Sequence, residues 1–543
     1  MKACLLYRER EWSNEGHYSE ERAVIQDLGL ETLFWASARD VIRDEKEPSR
    51  MIAVGEPDAF LESTMKKVMM VSLSTEEEIR YRQEILRDCL DTESFIYELY
   101  EYAAGVLGEW DRLGRRAGAK TGSRNSARAL IMEIHVLQLF VTSLVRLKGI
   151  LGKYGDRLQA EGLLAFQKRL YEEFSDEKEA ALQTILKGIT FYANDKEHGE
   201  GVLGRVVNKP GIVLGCGLGD GLKLGDFRLE EVTTDAKKYR NPTSLLSRAQ
   251  SFVSERSKTL VNLQRGTELA AQAEQLEFNT VRYVVSCCEA FVNAFSGFFN
   301  QLHTQAAFYR GAVNLAHHLE RFGIGHCCPV VGGQEILSFA ELKEAVMGME
   351  QKRNPVGNTC CIAGKRLLIV TGANQGGKST FLRSIGIAQV MMQCGLFVTA
   401  DRYKSGIFPY FFTHFTRRED SAMNSGRLDE ELGRMSRIVD HLGEGAMVLL
   451  NESFASTTER EGSVIAYDIV RALTEAGVKV LAVTHLLSFA QRVYEEAAGS
   501  EDAGVEFLSA QRLGDGKRTF RMVQHAPELT SFGLDLYDEI IRF

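Results

Sequence analysis

Proline is scarce, eight in 543 residues, so little in the composition interrupts long helices. Cysteine occurs ten times but never as C-x-x-C: Cys4, Cys89, Cys216 and Cys394 stand singly, and adjacent doublets begin at Cys287, Cys327 and Cys360. Neighbouring cysteines rarely bridge each other, which favours a reduced, cytosolic chain over a disulfide framework. No apolar run approaches the length of a membrane span, and the opening MKACLLYRERE is too short in apolar residues for a signal peptide. An excess of positive charge is also missing. Sixty-five Lys and Arg against 74 Asp and Glu leave a net charge of −9 and a pI near 5.8, which argues against indiscriminate coating of nucleic acid and leaves only local basic patches. The remainder, 44% hydrophobic and 26% charged, is ordinary for a globular chain long enough for several cores.

The chain is organised around LIVTGANQGGKSTF, residues 368–381. The apolar run Leu367-Leu368-Ile369-Val370 predicts a buried parallel strand, and the segment from Ser379 to Met392 predicts a helix. Between them G-x-x-x-x-G-K-[ST] is filled by Gly372, Gly377, Lys378 and Ser379, with Gly376 as an extra glycine. Glycines let backbone N–H groups turn in around phosphate oxygens, and the helix N-terminus adds positive potential. Lys378 is suited to the terminal phosphates, and the Ser379 hydroxyl to Mg²⁺. Ala373, Asn374, Gln375, Gly376 and Thr380 complete the expected nucleotide-binding loop. Downstream, Ala446 to Leu450 predicts a second buried strand, followed by Asn451-Glu452. An acidic strand end beside a phosphate loop orients Mg²⁺ or its waters and polarises the attacking water. A third strand, Val478 to Val483, leads to Thr484-His485, where a histidine is placed to sense a γ-phosphate. These pieces describe a parallel α/β sheet with its ligand at the strand C-termini.

The rest of the chain reads as mainly helical. Amphipathic stretches cover Ile25 to Ile42 and Ile79 to Tyr102, and Gly114 to Ser126 has linker composition. Helices are expected over about Ala127 to Leu147 and Leu163 to Phe191. Between Gly199 and Thr233 the apolar residues alternate with Gly and polar residues as in strands joined by turns. The run GCGLGDG there (Gly215, Gly217, Gly219, Gly221) never fits G-x-G-x-x-G and reads as a turn. Lys237, Lys238, Arg240, Arg248, Arg256 and Lys258 form the most basic neighbourhood outside the nucleotide module, a solvated helix face or a phosphate contact. From Ser244 to Arg321 apolar residues recur at helical spacing without proline. A 45-residue helix there would reach about 65 Å, the length of a lever, with Gly297 as its candidate break. His317, His318, His326, Cys327 and Cys328 fit no zinc spacing, so packing is expected of them.

Taken together, TGANQGGKST, the Asn-Glu strand end, Ser456-Thr457-Thr458 with Gly462, and Val483-Thr484-His485 resemble the ATPase domain of the MutS family of DNA mismatch-repair proteins. Thr530-Ser531-Phe532-Gly533 is similar to an element near that domain's end. These elements occur in order over about 200 residues, and the helix bearing RYRQEIL and the long helical arm are similar to the family's core and lever. The resemblance implies an α/β, ABC-type P-loop ATPase domain over 326–543. It implies a mainly α-helical core and lever over 126–325 with a small β insertion near 199–233, and leaves a helical region over 1–125. It implies ATP and Mg²⁺ as cofactors, and a homodimer in which each subunit's signature segment covers the other's γ-phosphate. Carried over by position, Lys378 and Ser379 bind phosphate and metal, Glu452 activates water, and His485 contacts the γ-phosphate. Ser425-Gly426-Arg427 is the signature candidate, with Ser425 or Gly426 facing ATP in trans.

Three positions depart from the family pattern. Asn451 stands where Asp is usual, which keeps an oxygen for metal-bound water but removes a formal charge. The signature continues as LDEELGRM. Phe60-Leu61-Glu62 fits the family's Phe-x-Glu wedge as a triplet, but its flanks read as helical and not as the family's mismatch-reading domain. The expected function is a MutS-like ATPase that clamps DNA, mismatched or branched, in repair or recombination. The alternative is a nucleotide-switched scaffold for a protein or ribosome; the ATP-binding subunit of a transporter is a third reading that the long helical portion disfavours.

Overall fold

The computed structural model describes residues 2–13, 18–43, 51–118, 127–193, 211–218, 224–233, 295–416, 426–498, 504–513 and 517–527. The chain opens with α1 (Glu21–Leu28), α2 (Glu31–Ser37), the antiparallel pair β1 (Asp40–Arg43) and β2 (Met51–Val54), α3 (Ala59–Met69), α4 (Glu76–Asp91) and α5 (Glu93–Gly118). Then come α6 (Ala127–Tyr154), α7 (Glu161–Glu173), α8 (Asp176–Ala193), and the antiparallel pair β3 (Gly211–Leu218) and β4 (Leu224–Thr233). A helix over 295–320, α9, follows. The remainder comprises β5 (Val330–Val331), β6 (Ile336–Leu342), α10 (Ala345–Glu350), β7 (Asn358–Ala363), β8 (Leu367–Thr371), α11 (Lys378–Gln393), β9 (Arg402–Ser405) and β10 (Tyr410–Phe415). It ends with α12 (Arg427–Asp440), β11 (Ala446–Asn451), α13 (Glu459–Glu475), β12 (Lys479–Val483), α14 (Leu487–Ala498), β13 (Val505–Arg512) and β14 (Arg518–Gln524).

The chain divides into two compact units: Lys2–Tyr100, Asp156–Phe166 and Thr304–Phe543 form one, and Glu101–Gly155 with Gln167–His303 form the other. Residues 2–100 therefore share a unit with the phosphate-loop region, a grouping that cuts across the three consecutive segments expected from the sequence. In the second unit Phe295 gathers Trp110, Phe140 and Phe299 at ring-centroid distances of 5.2, 5.1 and 4.8 Å. Lys148, whose side chain is nearly covered, is neutralised by Asp176 at 2.6 Å and Glu179 at 3.3 Å.

In the first unit a six-stranded sheet runs β10-β11-β12-β8-β13-β14. The first five strands are parallel and β14 is antiparallel. Strands β8 and β12 are buried at every residue, and β11 at all but its last. Their unbroken apolar runs, rather than alternation, follow from helices covering both faces. Val448 and Leu450 join Met435, Ile438, Tyr467, Val470 and Phe489 on the side of α12, α13 and α14. Leu449 points the other way, toward α11, where a Cβ on Gly386 would lie 2.8 Å from it and 2.7 Å from Leu28. Glycine at 386 thus lets α1, α11 and the sheet close on one another. A four-stranded sheet, β5-β9-β6-β7, adjoins in the chain.

Local chemistry sets the helix starts. Asp58 caps α3 through Phe60 N and Leu61 N, so Phe60-Leu61-Glu62 is the first turn of a helix. Thr75 caps α4 ahead of Glu76, Glu77 and Glu78, where acidic residues favour the helix dipole. Some expected stretches are subdivided. Ile25 to Ile42 is two short helices and a strand, and Leu163 to Phe191 breaks into α7 and α8. Helix α5 continues into the expected linker as far as Gly118, and Gly297 lies within α9 without ending it. The basic residues Lys237, Lys238, Arg240, Arg248, Arg256 and Lys258, the residues Gly219 and Gly221, and Ser425 and Thr530–Gly533 lie outside the described residues.

Candidate functional site

Strand β8 delivers the glycine loop expected to bind phosphate to the carboxyl end of the sheet. Positive φ at Gly372 (106°), Gln375 (59°) and Gly377 (92°) curls the backbone as a phosphate cradle requires. A Cβ on Gly372 would meet Ser509 Oγ at 2.8 Å and Ala510 N at 2.9 Å, and one on Gly376 would meet Ala510 Cβ at 2.7 Å. The loop is thus seated directly on β13. Lys378 opens α11 and is buried, its Nζ donating to Gly372 O at 2.8 Å and Ala373 O at 3.0 Å. The ammonium is folded back over the loop that surrounds it. Ser379 and Thr380 follow in the first turn of α11, with the helix N-terminus behind them.

Strand β11 ends at Asn451, whose Oδ1 is buried and accepts no hydrogen bond. The next residue, Glu452, has φ 56°, a left-handed conformation that turns its carboxylate away from the strand line. His485 Nε2 donates to Glu452 Oε1 at 2.9 Å. That hydrogen bond, against the opposing effect of burial, holds the Glu452 carboxyl below its ordinary range, with His485 and Lys378 adding favourable charge. Glu452 is therefore ionised near neutrality, as a water-polarising base requires. The orphaned amide oxygen of Asn451 and the unbonded Thr371 Oγ1 at the end of β8 are the sort of buried oxygens a hard cation or its waters would satisfy. The Ser379 hydroxyl and the Asn451 amide oxygen are oxygen donors of the kind that Mg²⁺ takes, directly or through water.

Lys378, Ser379, Thr380, Asn374, Gln375, Gly377 and Glu452 line one cavity of 410 Å³, a size suited to a nucleotide. Asn374 and His485 also border a second hollow, with Glu459 and Ser488. The structure thus brings together the expected loop, the Glu452 carboxylate and His485. Gly426 is the N-cap position of α12, and the departing sequence LDEELGRM is that helix. The Ser456-Thr457-Thr458 segment acts as a capping box. Thr458 Oγ1 accepts from Glu461 N at 3.3 Å, while Glu461 accepts from Thr457 Oγ1 at 2.6 Å and Thr458 Oγ1 at 3.1 Å. Of the histidines and cysteines near 317–328, His318 Nε2 meets Arg39 O and His326 stacks on Phe397. Among the described residues no group of His, Cys, Asp and Glu is arranged to hold a metal ion.

Residues not singled out in the sequence complete the cavity. Phe520, with φ 60°, lies on its wall against Gly377. Asn358 fixes that turn of β14, donating to Phe520 O at 3.3 Å and accepting from Met522 N at 2.7 Å. Arg518 donates to Gln375 Oε1 at 2.9 Å. Glu344, only 2% exposed, caps α10 through Met347 N and presents Oε1 with no hydrogen bond. Burial pushes its carboxyl up to about 7. A buried polar network also links α12 to the turn after Glu452: His414 meets Ser453 Oγ at 2.7 Å and Glu431 O at 3.0 Å, and Phe454 N donates to Glu431 Oε2 at 2.8 Å. None of these carried a motif or a local pattern in the sequence.

Two family models match the chain: the MutS2 N-terminal domain over residues 74–322 and MutS domain V over residues 368–538. The chain belongs to the MutS family. Its MutS domain V match contains all of β8 but Leu367, together with the glycine loop, Glu452 and His485. Among curated relatives, Endonuclease MutS2 of Carboxydothermus hydrogenoformans is 32% identical over 182 residues, 33% of this chain and 23% of that protein. The DNA mismatch repair protein MutS of Thermotoga sp. (strain RQ2) is 36% identical over 121 residues, 22% of this chain and 15% of the relative. That of Thermotoga neapolitana is 35% identical over 159 residues, 28% and 20% respectively. The aligned stretches thus span less than a quarter of these MutS relatives' own lengths. No helix among the described residues is long and apolar enough to cross a membrane.

Proposed function

We propose that this MutS-family chain binds ATP with Mg²⁺ in the 410 Å³ cavity and hydrolyses it as one half of a dimeric, ABC-type site, coupling turnover to clamping on DNA. The observation that carries the reading is the convergence at the strand ends of a curled glycine loop with Lys378, the His485–Glu452 pair, and the unbonded Asn451 Oδ1. In this reading the loop amides and Lys378 hold the phosphates, and Ser379 with Asn451 holds Mg²⁺, Asn451 through a bound water. The metal neutralises phosphate charge when bound. Glu452 accepts the proton of the attacking water, and His485 orients that carboxylate and lies toward the γ-phosphate. Phe520 offers an aromatic wall to the base. Ser425 and Gly426 are assigned to the partner's nucleotide.

Relatives bearing the names DNA mismatch repair protein MutS and Endonuclease MutS2 support nucleic acid as the partner. The test measures binding to matched, mismatched and branched duplexes with and without ATP. ATP-dependent binding to at least one of them is expected, and its absence from all of them overturns the DNA part of the reading. The net charge of −9 favours a second reading, a nucleotide-switched scaffold for a protein or ribosome. Association of the Glu452→Gln protein with a partner that survives DNase supports that scaffold.

A further inference from the structure

The hydrogen bond between His485 and Glu452 joins the turn after β11 to the turn after β12. Glu452 begins a turn that contains a second positive φ, 64° at Phe454, before α13 starts at Glu459. His485 sits in the short turn between β12 and α14. On its strand side the turn is held by Thr484 N donating to Val370 O at 3.2 Å and by Leu486 N donating to Thr484 Oγ1 at 3.0 Å. On its helix side the support comes from elsewhere in the chain. Glu459 Oε1 accepts from Ser488 N at 3.0 Å, and Glu459 Oε2 accepts from Ser488 Oγ at 3.0 Å. Ser463 Oγ donates to Glu459 Oε1 at 3.1 Å and aims the carboxylate. The first turn of α14 is thus capped by a side chain 29 residues earlier. The residues it joins border the hollow shared by Asn374 and His485.

We propose that Glu459 is a positioning residue for ATP hydrolysis, holding the His485 turn so that the imidazole meets Glu452. This rests on the nucleotide-hydrolysing reading of the site. The geometry has a direct logic. Glu459 is at the end of the segment that starts with Glu452, and Ser488 is three residues past His485, so the Glu459–Ser488 contact closes a ring around the His485–Glu452 bond. Opening the ring frees the histidine turn on one side and removes none of the hydrogen bonds that Lys378 makes to Gly372 O and Ala373 O. The carboxyl of Glu459 is held below its ordinary range, chiefly by the Ser488 N–H, so the contact persists across the neutral range. Because Glu459 is exposed, truncating it opens no cavity in the core.

The test compares wild type, Glu459→Ala and Glu459→Gln. Glu459→Ala is expected to lower kcat about ten-fold with KM for ATP within about two-fold, since misplacing a catalytic group slightly costs that much or more. Glu459→Gln keeps an acceptor for Ser488 N–H and is expected to restore kcat to within about three-fold of wild type. A second readout needs no turnover. With ring-labelled histidine, the His485 NMR signal, assigned by its loss in His485→Gln, is expected to move when Glu452→Gln is introduced into wild type. In the Glu459→Ala background the same change is expected to leave it in place. Wild-type kcat in Glu459→Ala, or an undiminished response of the His485 signal to Glu452→Gln, overturns the inference. A wild-type protein that hydrolyses no ATP overturns the functional reading instead, and the NMR comparison then decides whether Glu459 positions His485.

Discussion

The site rests on residues whose charge and burial set their behaviour. Lys378→Ala removes the ammonium that Lys378 places on the loop's own carbonyls, and ATP hydrolysis is expected to fall by about two orders of magnitude or more. Unchanged hydrolysis by the purified variant would place the activity elsewhere. Asn451→Asp supplies the formal charge that Asn451 lacks, so the Mg²⁺ concentration giving half-maximal hydrolysis is expected to drop several-fold on titration with metal. Glu344 gives a pH signature. Its carboxyl is raised from 4.5 to about 7 by burial, with Arg383 only 3.9 Å from its unbonded oxygen. Between those values the folded protein holds a proton that the unfolded chain has lost. The stability from a neutral Glu344 is therefore present in full below 4.5 and lost as pH rises through 7. Glu344→Gln keeps an oxygen for Met347 N and carries no charge. It is expected to be more stable than wild type at pH 8, by about 1–3 kcal/mol, and equal to it at pH 4.5. Urea denaturation at the two pH values reads the difference.

At the scale of elements, the cavity is walled by β14, whose turn depends on one distant side chain. Asn358 satisfies both Phe520 O and Met522 N, so Asn358→Ala leaves the buried Met522 N–H and the partly buried Phe520 C=O without this partner. A loss of about 1–3 kcal/mol is expected, with a several-fold rise in KM for ATP because Phe520 lines the cavity. Both are measurable on the same preparation by thermal unfolding and steady-state kinetics. Such a pair was not legible in the sequence: Asn358 and Phe520 are 162 residues apart, and neither belongs to a local pattern. The strands and the loop were legible because their signals are local. Strands β8, β11 and β12 are covered on both faces and spell that out as unbroken apolar runs. The loop announces itself by glycines at positions that need positive φ. The break between α7 and α8 was missed because apolar spacing continues across Phe174, which is itself buried.

At the scale of the molecule, the grouping of residues 2–100 with the region of the glycine loop was hidden for the same reason, and its anchors are again single side chains. Gln393, at the end of α11, donates to Tyr18 Oη at 2.9 Å, Ser72 Oγ at 2.8 Å and Phe408 O at 3.0 Å. Arg82 of α4 is fully buried, with its guanidinium donating to Leu6 O at 2.9 Å and to Cys394 O at 3.0 Å, just past the end of α11. The ring of Tyr7 lies 4.8 Å beneath it. A cation there also complements the negative end of the α11 dipole. Helix α11 thus runs from Lys378 at the phosphate loop to an N-terminal clasp at Cys394, a span of about 24 Å for its 16 residues. Arg82→Met fills much of the same volume and donates nothing, leaving two buried carbonyls unpaired. It is expected to cost about 3 kcal/mol, seen as a lower thermal midpoint. Because the clasp lies a helix length from Lys378, saturating ATP with Mg²⁺ is expected to raise the midpoint by the same increment in wild type and variant. A smaller increment in Arg82→Met would mean instead that the clasp sets the geometry of the loop, making the N-terminal elements part of the nucleotide site and not only of its support.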